Sequence, residues 1–293
     1  MTKTTHRRMA KRSTLIVLVT VGALLLSGCY YFPTALQHEQ SDPATRPWWC
    51  DSTGNSGGHG SEFYPGVTKG MLSWTDCKAV SAEFDLALDY AQQYPTAGAA
   101  EASGFHKMVN YVEGMGTHHV GPGGFTQADL LSPDFDPTDP VFPGTELDDH
   151  FDATKPEFLM YGGNGPDAEL VGMAWYVHTD NGQPPAGFPG DNDWWHVHHR
   201  LCLRTSDVLV VGEDLTDEQC AARGGLNLHL DNYYMVHAWI VPGWEIPGDV
   251  FRGHHPCLQA SGPVTSPDDP CWDEAAMPMD MSMSMAAGLG GGT

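Results

Sequence analysis

Along this chain the spacing of hydrophobic positions changes period. From Trp74 to Ala91 they recur every three to four residues, and Cys77, Val80, Phe84, Leu88 and Ala91 fall on one stripe. That spacing predicts a helix burying one face. Ser73 precedes the stripe with Asp76 three residues on, a capping arrangement, and Tyr94-Pro95 predicts the stop. A shorter helix is predicted over Thr96–Ala102, before Gly104. Farther on, short apolar runs replace the stripe. Phe158–Tyr161 and Glu169–His178 read as strands around Gly162-Gly163-Asn164-Gly165-Pro166. Trp194–Leu203, Val208–Val211 and Tyr233–Val241 read as further strands, and Thr216-Asp217-Glu218-Gln219 as the capping box of a short helix.

Short turns without repeated helical crossovers favour antiparallel pairing. The expected fold class is therefore α+β: mainly an antiparallel sheet or small barrel, with one long N-terminal helix and short helices packed on it, disulfide-stapled. Residues 129–157 are acidic and proline-studded, a predicted surface loop. One globular domain is expected over 48–272. A polar tether (29–47, with Pro33, Pro43 and Pro47) precedes it, and a disordered Met/Gly-rich tail (273–293) follows. His59, in the loop of Gly54, Gly57, Gly58 and Gly60, is expected in solvent.

The first residues carry an address rather than a fold. Lys3, Arg7, Arg8, Lys11 and Arg12 precede the apolar run Leu15–Leu26, which is shorter than the roughly 20 residues that span a bilayer. Then comes Leu26-Ser27-Gly28-Cys29. The pattern resembles a bacterial lipoprotein signal peptide (1–28) with its lipobox. The resemblance implies cleavage before Cys29, acyl chains such as palmitate on that residue, and anchoring on the extracytoplasmic face of the cell membrane. Each buried methylene contributes about 0.8 kcal/mol, so two or more chains hold stably.

Taking the five basic residues of the signal from the 14 in the chain leaves nine Lys and Arg against 37 Asp and Glu, a formal charge of −28. Such a surface repels phosphate backbones, so nucleic acid is excluded as a partner, whereas cations are suited. Outside Cys29 the cysteines are Cys50, Cys77, Cys202, Cys220, Cys257 and Cys271. An even number in an exported chain points to disulfides. The spacing leaves the pairing open, with nearest neighbours (50–77, 202–220, 257–271) as the expectation.

Histidines supply the candidate chemistry. His196 and His198 alternate with Val197 on a predicted strand and so share one face, a ready bidentate clip. His237 lies in Tyr233–Val241, apolar on both faces and hence buried, where an imidazole needs partners for its nitrogens. His118 is the fourth candidate ligand, with His119 in reserve, and Glu113 is a candidate ligand or base. Imidazoles suit zinc or copper better than calcium or magnesium. His254-His255, before Pro256-Cys257, reads as a surface doublet. Met277, Met279, Met281, Met283 and Met285 alternate through the tail, and thioethers are soft ligands that favour Cu(I). The run resembles the M-x-M stretches of extracytoplasmic copper-handling proteins.

No Walker A, dinucleotide fingerprint or H-E-x-x-H occurs. The stretches Glu113–His118, Trp195–His198 and His237-Ala238-Trp239 resemble an uncharacterised group of actinobacterial exported proteins, a likeness that brings no activity with it. Three readings follow. The first is an envelope-anchored metal-binding lipoprotein that stores, delivers or senses copper or zinc. The second is an extracytoplasmic metalloenzyme, hydrolytic or oxidative, at the same histidines. The third is a non-catalytic surface recognition module.

Overall fold

Among the described residues, nine strands share one sheet: β1 (His106–Val112), β2 (Gly116–Val120), β3 (Phe158–Tyr161), β4 (Leu170–His178), β5 (His196–Val197), β6 (Arg200–Arg204), β7 (Val210–Glu213), β8 (Gly225–His229) and β9 (Tyr233–Ala238). They lie in the order β5-β9-β4-β3-β2-β1-β7-β6-β8. This computed structural model describes residues 47–51 and 70–276, apart from 124, 143, 144 and 248. All belong to the compact unit that begins at Ala44. Residues 1–28, Cys29, most of the tether, His59 and the tail methionines Met277–Met285 lie outside the described residues.

The sheet curls because two runs of chain serve both of its ends. β5 and β6 are one run broken at His198-His199, and β8 and β9 are another broken at Leu230-Asp231-Asn232. The runs pair antiparallel on both sides of the breaks, His196 with Met235 and Arg200 with His229. Between them the Leu230 N–H donates to the His199 carbonyl. This bent ribbon draws the two flanks toward each other and makes a half-barrel with a concave and a convex face.

The architecture corrects the expected fold class. The sheet is mixed, not antiparallel throughout: β1 runs parallel to β7, joined through Val109 and Val210. It is a nine-stranded curled sheet rather than a small barrel. Helices are few and mostly short: α2 (Ala97–Ala102), α3 (Gln127–Leu130), α4 (Asp217–Ala222) and α5 (Pro270–Ala276) follow α1 (Trp74–Ala91). The long N-terminal helix expected to pack on the sheet is corrected too. The stripe of α1 meets side chains outside the strands, with Phe84 against Trp49, Phe188 and Phe251. Phe188 in turn abuts Trp175 of β4, ring centroids 4.9 Å apart. At Phe84, aromatic rings from outside the strands therefore lie between the helix and β4.

Local signals act as their chemistry dictates. The Ser73 side chain accepts the Asp76 N–H at the start of α1, and Thr216 and Gln219 close a capping box on α4. Disulfides join Cys50–Cys77, Cys202–Cys220 and Cys257–Cys271, with Cα separations of 5.3, 5.6 and 5.1 Å. The loops they close contribute about 3 kcal/mol each by chain entropy. Among the described residues, no helix is long and apolar enough to cross a membrane.

Candidate functional site

Strand β2 is buried along its whole length, so its alternating side chains need two different environments. His118 points to the concave face and its neighbour His119 to the convex one. Cross-strand partners share a face. The register Val120–Phe158–Ala174–His237 therefore carries His118 and His237 to the same side, with Gly172 opposite Met160 in the adjacent row.

On a flat sheet β2 and β9 are three strand spacings apart, about 14 Å. Here His118 Nε2 lies 3.4 Å from His237 Nε2. Curling brings the strands round, and the small side chains of β4 leave room for the rings. Gly172 is pressed from this side: a Cβ there would fall 2.6 Å from Met160 Cε and 2.9 Å from the Trp239 ring. His196, on β5 beside β9, has its ring centroid 5.0 Å from that of His237 and 5.1 Å from that of His198. All four rings are buried. The four histidines singled out as ligands thus converge, although they stand on three separate stretches of chain.

His119 is not with them. Its Nε2 lies 3.2 Å from Glu101 Oε1 of α2, and its ring packs edge-on to Tyr161. Glu113 is exposed in the β1–β2 turn. The carboxylate that reaches the cluster is Glu213, whose Oε1 lies 2.6 Å from His198 Nδ1. Sequence reasoning missed it, because Glu213 stands two residues beyond the expected strand Val208–Val211 and meets His198 only through the β6–β7 pairing. His255 also departs from expectation. It is fully buried, not a surface residue, and sits among Trp239, Trp244 and Trp272.

Electrostatics keep His118 neutral. Burial, with His198 and His119 nearby, pushes the His118 imidazole down to about 3. A neutral ring is the form that binds metal. The 3.4 Å between the two Nε2 atoms suits a hydrogen bond in which one ring donates. It is also the edge of a tetrahedron around an ion with bonds of roughly 2.0–2.1 Å, about 3.3–3.4 Å. Among the described residues, no three His, Cys, Asp or Glu side chains stand already spaced around one ion. A bound ion therefore requires the His196 and His198 rings to swing toward the His118–His237 pair. Beside the cluster the concave face encloses a cavity of about 370 Å³, which His118 and His198 help to line.

No protein-family model, curated protein or solved structure matches this chain. Its chemistry alone carries the functional reading.

Proposed function

We propose that this protein is a metal-binding lipoprotein anchored through Cys29 on the extracytoplasmic face of the membrane, holding copper or zinc for storage, delivery or sensing. His118, His196, His198 and His237 are the ligands, and Glu213 orients His198 through Nδ1, as carboxylates do for metal-bound imidazoles. One observation carries the reading: four buried imidazoles meet inside a curled sheet, with two Nε2 atoms 3.4 Å apart. The methionine tail tilts the choice toward copper, since thioethers prefer Cu(I).

The test is elemental analysis of the purified full-length chain after loading with Zn²⁺ or Cu⁺. One ion per chain is expected, lost in both His196→Ala and His237→Ala and retained in His119→Ala. Undiminished metal in either cluster variant removes the shared site. Deleting the residues after Ala276 separates the tail's share. The anchor has its own check: Cys29→Ser should release the protein from the membrane fraction. The metalloenzyme reading is favoured by a single observation, the cavity beside the histidines, which gives a substrate somewhere to sit.

A further inference from the structure

The cavity on the concave face has its own chemistry, independent of any ion. Its walls are mainly apolar, with Val120, Phe158, Leu203 and Leu228 among them, and among the described residues no Lys or Arg lines it. Polar side chains in the lining are few, with Asn110, His118, His198 and Glu213 among them, and Glu213 already meets His198 Nδ1 at 2.6 Å.

The entrance lies where the sheet is thinnest. β1 and β7 are joined at a single register pair, Val109 with Val210, whereas β2 and β3 share four. Along that junction the lining residues Asn110 and Val112 are exposed, and the Glu213 side chain is 40% exposed.

We infer that this cavity binds an uncharged, mainly apolar small molecule, its body lying along the apolar walls. An engineered cavity of about 150 Å³ accepts benzene, so about 370 Å³ suits a molecule of roughly 15 non-hydrogen atoms. Anions are disfavoured, because the lining offers no fixed cation and Glu213 stands at the mouth. The inference holds whether or not the histidines take a metal.

The probe is N-phenyl-1-naphthylamine, a neutral dye that brightens in apolar surroundings, titrated into the full-length chain after EDTA treatment and again after metal loading. Saturable brightening at one site per chain is expected in both states. 1-Decanol should displace the dye at least tenfold better than decanoate. Met115→Trp, at a half-exposed lining position, should abolish dye binding while leaving the circular dichroism spectrum unchanged. No saturable brightening in either state overturns the inference, as does dye binding that Met115→Trp and decanol both leave unaltered.

Discussion

His118 and His119 are neighbours on one strand and live in different materials. The convex side that receives His119 is packed solid, with Trp175, Phe188, Phe151 and Trp195 in edge-to-face contacts at centroid distances of 4.9–5.6 Å. The concave side that receives His118 holds four histidines and a cavity. One face therefore supplies the stability that lets the other keep polar groups and empty volume, which packing alone would eliminate. Both faces come from the same strands, so the contrast can be probed with identical residue types.

The largest difference is expected between two methionines. Met173 on β4 is fully buried and faces the convex layer, while Met235 on β9 lines the cavity. Met173→Ala removes contacts on all sides and opens new volume, so it should cost about 3–5 kcal/mol. Met235→Ala enlarges space that already exists and should cost about 2 kcal/mol or less. Urea unfolding midpoints at constant slope measure both. Equal losses would mean that the concave face is as tightly packed as the convex one.

The same contrast explains what could be read from residues alone. Caps, the α1 stripe and the disulfide partners depend on residues within 27 positions of one another, and short-range spacing carries that information. β1 reads His106-Lys107-Met108-Val109-Asn110-Tyr111-Val112, half-exposed and without a clean period, and its parallel pairing with β7 bridges a hundred residues. Nothing local encodes such a pairing. His196, His198 and His237 stood out because imidazole is an unusual choice within apolar strands. Glu213 did not, since a glutamate at a strand end is ordinary there. The burial of His255 is not legible, because no periodic pattern or cap links it to Trp239 and Trp244, which lie in irregular segments, or to Trp272 of α5.

A medium-sized effect should follow from Glu213→Gln. The amide keeps the size and can still accept from His198 Nδ1, but it loses the charge that makes the ring a better ligand. Metal affinity is expected to fall about 10–100-fold with fold stability nearly unchanged, read by competition with a chromophoric chelator. The matching change outside the cluster, Glu101→Gln beside His119, should leave the affinity alone. Equal losses from both substitutions would erase the distinction between the faces.

The most gradual effect concerns pH, and it isolates a histidine that belongs to neither group. His255 accepts the Cys257 N–H through Nδ1 and sits among the rings of Trp239, Trp244 and Trp272. Burial, with the Arg252 guanidinium nearby, pushes it down to about 3. The ring of the unfolded chain takes up its proton near pH 6.5 and the folded ring only near 3, so between those values the unfolded state binds more protons. The contribution is therefore complete above about pH 6.5 and declines as pH falls toward 3, by roughly 1 kcal/mol per pH unit. His255→Phe suits the aromatic cage and cannot titrate. It should begin less stable than the parent at pH 7.5, through loss of the acceptor for Cys257, and the gap should narrow as pH is lowered from 6.5 to 4. Denaturant midpoints of the two chains at each pH, measured without metal, provide the comparison. A gap that stays constant would show that His255 takes its proton as readily in the fold as out of it, and the tryptophan cage would then be wet.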